Sequence, residues 1–374
     1  MIVGVPKEVV VGERRVALVP DLIPKLVKVG LEVVVQPGAG AAAGFPDSAY
    51  TEAGARLEPD VFARGDILLK VQPPTGEEIG KVREGATFIG FLQPYTNGAA
   101  IETLAVRRVT AFSMELMPRI TRAQPMDALS AMSTVSGYKS VLIAANHLPK
   151  FFPLLMTAAG TLTPARVFII GAGVAGLQAI GTAKRLGAVV EAYDTRPVVK
   201  EQVESLGAKF VELGLETKDA EAKTGYAKAQ SEEFYDKQRQ MMMKYVAAAD
   251  VVIPTALVPG KRAPVLITEE MVQAMRPNSV IVDLAAEQGG NCALTEPGQE
   301  VVKHGVLICG PTNLPSTVPF HASQMYARTV TNYLLHLVKE GKVHLDLDDE
   351  LTRGPLVTHQ GEILHEVVKA AMKT

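Results

Sequence analysis

The chain has 374 residues, enough for two domains of ordinary size, each with its own core. Its 38 Lys and Arg stand against 40 Asp and Glu, which excludes a basic nucleic-acid-binding surface of the usual kind and any charged tail. Two cysteines, Cys292 and Cys309, cannot make a disulfide framework and fit a reducing, cytoplasmic compartment. The start, MIVGVPKE, lacks the shape of a signal peptide, and the longest apolar neighbourhood, Val141 to Ala159, is interrupted by His147, Pro149, Lys150 and Pro153, so the sequence predicts a soluble chain.

Short apolar strands alternate with helices from the beginning. Strands are predicted over Met1–Val5, Leu31–Val35, Ile67–Val71, Thr87–Leu92 and Thr110–Met114. Helices are predicted over Pro20–Val29, ended by Gly30, over Gly76–Val82 and over Ile101–Arg107. This alternation implies an α/β domain with a mainly parallel sheet, and it carries no phosphate-type glycine fingerprint. Met117-Pro118 ends the run. Arg119–Gln124 reads as a polar loop, and Asp127–Asn146 as a long helix leading into a second domain that begins near Thr163-Pro164.

That second domain opens on RVFIIGAGVAGLQAIGTAKRLGAVVEAYDTR (166–196). Val167–Ile170 is a β-branched, apolar run typical of a buried parallel strand. Gly171, Gly173 and Gly176 follow as G-x-G-x-x-G, a helix runs to Leu186 and stops at Gly187, and a second strand, Ala188–Tyr193, ends in Asp194. In this context the first glycine permits a tight turn, the second lets a pyrophosphate approach the backbone, and the third lets helix and strand pack closely. The helix N-terminus offers free N–H groups to phosphate. Asp194 stands where a carboxylate accepts the hydroxyls of an adenosine ribose, and it would repel a 2′-phosphate, so the expected dinucleotide is NAD. Arg196, two residues on, is of a type that can serve NADP, and the acid is weighed above it.

Beyond Asp194, helices are predicted over Lys200–Leu206, Ser231–Ala248, from Thr268 onward, and over Ser323–Val338, the last ended by Gly341. Strands are predicted over Lys209–Leu213, Asp250–Ile253, Ser279–Leu284 and Val306–Cys309, and a last amphipathic helix over Gln360–Met372. The charged stretch 214–230 is as long as unstructured loops become in compact domains and reads as a lid. In an open α/β sheet the ligand lies beyond the C-terminal ends of the strands. Loops 171–176, 194–197, 254–260, 284–291 and 310–316 therefore belong to one crevice, with 117–130 as a hinge beside it. In that hinge Arg119, Gln124 and Asp127 either grip a nicotinamide carboxamide or form a solvated helix entry with Asp127 as the cap.

The sequence supplies little acid–base chemistry. Among His147, His304, His321, His336, His344, His359 and His365, only His321 follows a crevice loop, and none lies in a catalytic motif. No Cys or His cluster has metal-ligand spacing, and no nucleophile elbow or P-loop is present.

Longer patterns carry a family resemblance. VPKE near the start, ERRVAL (13–18), PGAGAAAGFPDSAY (37–50), ILLKVQPP (67–74) and GAGVAGLQAIGTAKRLGA (171–188) make the chain similar, over nearly its whole length, to the alanine dehydrogenase and proton-translocating transhydrogenase family. The resemblance implies two Rossmann-like domains with mainly parallel sheets, separated by a cleft and linked by long helices. It implies one domain of residues 1–130 completed by 322–374, and an NAD-binding domain of residues 131–321. Alanine dehydrogenases carry a catalytic His where this chain has Gln93, and an Asp in a DQGG-type segment where Glu287-Gln288-Gly289-Gly290 stands. Arg15 and Lys70 resemble their substrate-binding pair.

Other segments resemble the transhydrogenase branch. PRITRAQPMDALSAMSTVSGYK (118–139) is similar to its nicotinamide loop, which implies that Arg119, Gln124, Asp127 and Ser130 hold the nicotinamide half of NAD. TGYAKAQSEEF (224–234) is similar to its mobile loop, with Tyr226 folding onto the nucleotide. Val174, Asp194, Thr195, Arg196, Gly225, Gln238 and Leu257 would line the rest of the pocket, and VDLAAEQGGN (282–291) follows the same branch. The implied reaction is hydride transfer between NAD(H) here and NADP(H) on a partner subunit, coupled to proton movement by a membrane-spanning subunit. The implied assembly is a homodimer at the cytoplasmic face of the membrane. An alanine-dehydrogenase-like enzyme and a non-catalytic NAD-binding regulator are the competing readings.

Overall fold

In the computed structural model, which describes residues 1–214, 231–258 and 260–372, the alternation of strands and helices resolves into two units. One consists of Met1–Met132 with Pro315–Thr374, the other of Ser133–Leu314.

The first unit is built on an eight-stranded sheet. From one edge the strands are Glu362–Ile363, Leu356–His359, Thr110–Ser113, Thr87–Gly90, Ile67–Leu69, Ile2–Val5, Glu32–Val35 and Arg56–Leu57. The last six are parallel, and their central members are buried on both faces, as their near-continuous Val, Ile and Leu require. The helix Pro319–Leu337 belongs to this unit and begins one turn earlier than its apolar pattern suggests, because Pro319 presets the first helical φ.

Three connections depart from expectation for one reason. His304-Gly305, Glu340-Gly341 and Gln360-Gly361 all have positive φ at both residues. Two such residues make the tight hairpin turn that matches strand twist. They join Glu300–Lys303 to Val306–Cys309, Val338–Lys339 to Lys342–Val343, and Leu356–His359 to Glu362–Ile363. Gly341 is therefore a hairpin residue rather than the end of a helix, and the expected helix over 360–372 shrinks to Glu366–Ala371.

The second unit is a doubly wound sheet. Its order is Lys209–Phe210, Val189–Tyr193, Arg166–Ile170, Val251–Pro254, Val280–Val282, Val306–Cys309 and the antiparallel Glu300–Lys303. The winding reverses between Arg166–Ile170 and Val251–Pro254, which both pair in parallel there. This is the topological switch point where such sheets bind ligands. Two apolar layers flank it. One includes Val167, Ile169, Ala179 and Val251, the other Phe168, Ile170, Met242 and Val252. The strand predicted over 209–213 is only two residues long.

The long helix Ala128–His147 starts one residue later than predicted, because Asp127 stays outside it as its cap. Its Gly137 is required by packing. A Cβ there would stand 2.1 Å from the carbonyl oxygen of Ala175, on the helix that follows the glycine loop.

Candidate functional site

The glycine loop leaves strand Arg166–Ile170 at the switch point and leads into helix Val174–Arg185. Its three glycines are held differently. Gly171 has φ 99°, and a Cβ there would lie 2.6 Å from the Thr255 hydroxyl. A Cβ on Gly176 would lie 1.9 Å from the Gly171 carbonyl oxygen. Both are fixed by the protein's own packing. Gly173, the helix N-cap, has ordinary φ −75°, and a Cβ there would find only Arg196 Nη2, at 3.9 Å. The middle glycine thus borders open space at a helix N-terminus, the place a pyrophosphate would approach.

Asp194 ties this loop down. Its carboxylate is buried at the end of strand Val189–Tyr193. One oxygen accepts from Ala172 N–H at 2.7 Å and from Arg196 Nη2 at 2.8 Å, and the other accepts from Arg196 N–H at 2.8 Å and Nε at 2.9 Å. A carboxylate has about four acceptor positions, so this one is saturated within the chain. The ribose-binding acid of the sequence reading is also the brace of the phosphate loop, and Arg196 is its partner rather than an independent anion site.

Facing loops are held as tightly by residues that motif reading passed over. Asp283, fully buried, accepts from the N–H groups of Ala285, Asn291 and Cys292 and from the Thr295 hydroxyl. Burial raises its pKa against these bonds. Asn291 accepts from Ala256 N–H at 2.9 Å and donates to the carbonyls of Ala256 and Pro264. Loops 255–258 and 284–291 are thereby locked together. A buried acid followed eight residues later by a buried amide was the available signal. Glu287 accepts from Asn313 N–H at 2.7 Å and so fixes the next loop. Val174, Thr195 and Leu257 are half-buried in the second unit. Gln238 is buried on helix Glu232–Ala248, and its amide oxygen has no partner among the described residues. Gly225 and Tyr226 lie outside the described residues.

Arg119, Gln124, Asp127 and Ser130 belong to the first unit. Arg119 and Gln124 are exposed. The segment expected as a polar loop contains a 3-10 turn, Thr121–Met126, anchored where Asn332 Nδ2 donates to the Pro125 carbonyl at 2.9 Å. Asp127 accepts from Ser130 N–H at 2.8 Å and from the Ser130 hydroxyl at 2.5 Å, the geometry of an N-cap. Capping therefore occupies the Asp127 carboxylate and brings Ser130 to it.

The two cations that resemble a substrate pair are neutralised within the same unit. Lys70 is fully buried, with Glu78 at 2.9 Å and Glu8 at 3.0 Å. Arg15 is buried against Glu13, with Nε at 2.7 Å and Nη2 at 2.5 Å. Burial alone would raise Glu13, but the bonds and charge of Arg15, with Gln72, hold it at about 2. Gln93 has φ 50°, a left-handed conformation that costs a non-glycine residue energy. Its N–H donates to Glu115 at 2.8 Å, and Leu92 N–H and the Ser113 hydroxyl donate to the same carboxylate. His321 is exposed, its ring edge-on to Phe320.

Comparison with known proteins agrees with this geometry. Residues 4–136 match the family "Alanine dehydrogenase/PNT, N-terminal domain" and residues 140–366 match "Alanine dehydrogenase/PNT, C-terminal domain". The chain is 50% identical to the first of the separately encoded pieces of NAD(P) transhydrogenase subunit alpha in Rhodospirillum rubrum, covering 98% of both chains. It is 30% identical to alanine dehydrogenase of Bacillus subtilis, covering 98% of this chain and 94% of that one. The crystal structure of transhydrogenase from Sinorhizobium meliloti superposes with a TM-score of 0.87 at 41% identity, covering 98% of this chain and 100% of that chain.

The packing of the glycines and of Glu13 leads to two predictions. Gly173→Ala should leave the melting temperature within about 2 °C while weakening NADH binding roughly tenfold or more, whereas Gly176→Ala should lower stability by several kcal/mol. Calorimetry with NADH titration checks both, and equal stability losses would contradict the assignment of Gly173 to ligand approach. Glu13, whose folded pKa is depressed from 4.5 to about 2, stabilises the fold above pH 4.5, by about 3 kcal/mol, and loses this as pH falls towards about 2. The stability difference between the protein and Glu13→Gln, measured by urea unfolding, should shrink across that window; a constant difference would contradict the pairing.

Proposed function

We propose that this chain, which belongs to the alanine dehydrogenase/PNT family through both of its halves, is the NAD(H)-binding component of a proton-translocating NAD(P) transhydrogenase. Hydride passes between NAD(H) on this chain and NADP(H) on a partner subunit, and a membrane-spanning subunit couples the transfer to proton movement. The observation that carries the reading is the open face at Gly173, between two glycines wedged against the protein's own atoms.

When bound, the nicotinamide ring supplies the hydride or accepts it at its C4 carbon. The chain's own residues bind and orient. Gly171, Gly173 and Gly176 with the N-terminus of helix Val174–Arg185 hold the pyrophosphate. Asp194 and Thr195 face the adenosine ribose, with Arg196 sharing its carboxylate partner so that a hydroxyl can take one acceptor position. The unmatched Gln238 oxygen suits the amino group of an adenine. Val174 and Leu257 give apolar walls. Arg119, Gln124, Asp127 and Ser130 orient the carboxamide, the exposed Gln124 as donor and acceptor and the Asp127–Ser130 pair as a rigid edge. Gly225 and Tyr226, in the lid segment, exclude water.

This assignment accounts for the poverty of acid–base groups. Ring-to-ring hydride transfer moves no proton at the reacting atoms, so positioning is the chain's contribution. An imino-acid reductase, by contrast, needs a proton donor and free cations for a carboxylate. Gln93 stands where that branch has histidine, and Lys70 and Arg15 are spent on Glu8, Glu78 and Glu13. Among the described residues no helix is long and apolar enough to cross a membrane, so attachment at the cytoplasmic face would come through the partner. A homodimer belongs to the same reading. The hairpin Leu155–Thr157 and Gly160–Leu162 leaves Leu154, Met156 and Leu162 exposed, and an isolated two-stranded hairpin is marginal. A second copy would cover it.

The chain mixed with NADH, pyruvate and ammonia should show no turnover, and mixed with its NADP-binding partner and an NAD analogue it should transfer hydride. Turnover in the first mixture overturns the proposal, and failure in both favours a regulatory NAD-binding role. Gln124→Asn should slow transfer at least tenfold while changing NADH affinity less than threefold, because a shortened side chain misplaces the ring; equal losses in rate and affinity would contradict an orienting role.

A further inference from the structure

Three side chains at one edge of the second unit take no part in dinucleotide binding. His147 ends the helix Ala128–His147, Glu300 opens the edge strand Glu300–Lys303, and Cys309 closes the strand Val306–Cys309. Glu300 and Cys309 are directly paired across the antiparallel ladder, so their side chains share a face. Cys309 packs with Val141 and Ala144 of the helix and with Leu148 just beyond it, which brings the helix's last residue over that face. His147 Nε2 lies 3.2 Å from Glu300 Oε1. One donor atom from each of the three groups lies within 4.8 Å of the others, and among the described residues no other trio of His, Cys, Asp or Glu is gathered this closely.

We propose that His147, Glu300 and Cys309 form a binding site for a divalent cation of the zinc class, with a fourth position open to water. The donor set selects the metal. An imidazole nitrogen, a thiolate sulfur and a carboxylate oxygen suit zinc and its tetrahedral relatives, whereas calcium and magnesium take oxygen alone. The spacing is close to what the ion needs. Bonds of about 2.0–2.3 Å in a tetrahedron set donors roughly 3.3–3.8 Å apart. The histidine and glutamate already stand at that separation, and the sulfur needs a shift of about 1 Å, within the reach of side-chain rotation. Access is also suitable. The Glu300 and His147 side chains are 54% and 27% exposed, which gives an ion a way in from solvent, while Cys309 is buried behind them.

Burial, with the Glu300 charge, pushes the Cys309 thiol up to about 12, so without metal it is a neutral, unreactive group. On binding, the thiol proton leaves to solvent, a metal–sulfur bond forms, and the carboxylate charge is met by the cation. The ion would then clamp the end of the helix to the last two strands of the sheet. The site needs no dinucleotide and stands independently of the transhydrogenase reading.

The test is titration of the full-length, untagged, chelator-treated chain with cobalt(II) and then zinc. One equivalent of cobalt should bind and give both a thiolate-to-cobalt charge-transfer band in the near ultraviolet and the intense visible bands of a four-coordinate ion, and zinc should abolish them. Cys309→Ala should lose the ultraviolet band, and His147→Ala and Glu300→Gln, at partly exposed positions that the fold tolerates, should each weaken zinc at least tenfold. Cys292→Ser should behave as the parent. Cobalt uptake by the parent no greater than by the His147→Ala, Glu300→Gln double variant would overturn the proposal, and so would a bound-cobalt spectrum without the thiolate band. Either result would leave His147 and Glu300 as an ion pair only.

Discussion

One carboxylate sets the shape of the nucleotide-binding unit. Asp194 reaches back from the end of its strand to the Ala172 N–H inside the glycine loop and forward to three donors of Arg196. The phosphate loop and the ribose end of the crevice are therefore one construction. Removing the acid would loosen the loop and leave a largely buried guanidinium without its partner, a loss of several kcal/mol where such pairs are buried. The same pairing bears on nucleotide choice. Asp194 does not act as a bare charge opposing a 2′-phosphate. It acts with an arginine that halves its field, and a ribose hydroxyl enters by sharing an acceptor position that Arg196 now fills.

The surrounding loops follow the same principle of fixed placement. Asp283 and Asn291 stitch two strand-end loops together with seven hydrogen bonds, and Glu287 secures a third through Asn313. In the first unit Glu115 holds Gln93 in a left-handed conformation, and Asn332 anchors the 3-10 turn that carries Gln124. Groups that would serve acid–base chemistry in a relative are engaged in structure here. A site of this kind can accelerate a reaction by holding two reactants in line, and little else is required when hydride moves between identical rings.

Much of this was legible in the residues, and what was not has definable physical causes. The β-branched run before G-x-G-x-x-G and the acid after the next strand place the switch point and its loop, because strand burial and glycine conformation are local requirements. The hairpins at His304-Gly305, Glu340-Gly341 and Gln360-Gly361 were misread, since a glycine after a polar residue signals a helix end as well as a turn. The deciding cue was the β-branched or alternating residues on both sides. The antiparallel return of Leu356–His359 onto Thr110–Ser113 depends on pairing across more than 240 positions, which no local pattern encodes. Asp127 shows a different difficulty. A carboxylate at a helix start is suited both to capping and to ligand binding, and only the Ser130 geometry reveals that capping already occupies it. Asp283 escaped notice because its partners are mainly backbone N–H groups, which leave no trace in residue identity.

Direct transfer of hydride without participation of solvent protons is tested most directly by isotope tracing. NADH deuterated at the transferring position of C4, bound to this chain, is mixed with its NADP-binding partner carrying oxidised NADP in ordinary water. The geometry predicts that the label arrives intact in NADPH, with a primary isotope effect on the transfer step and a rate flat across neutral pH. Loss of the label to water, or a rate that follows the titration of a protein group, would contradict it.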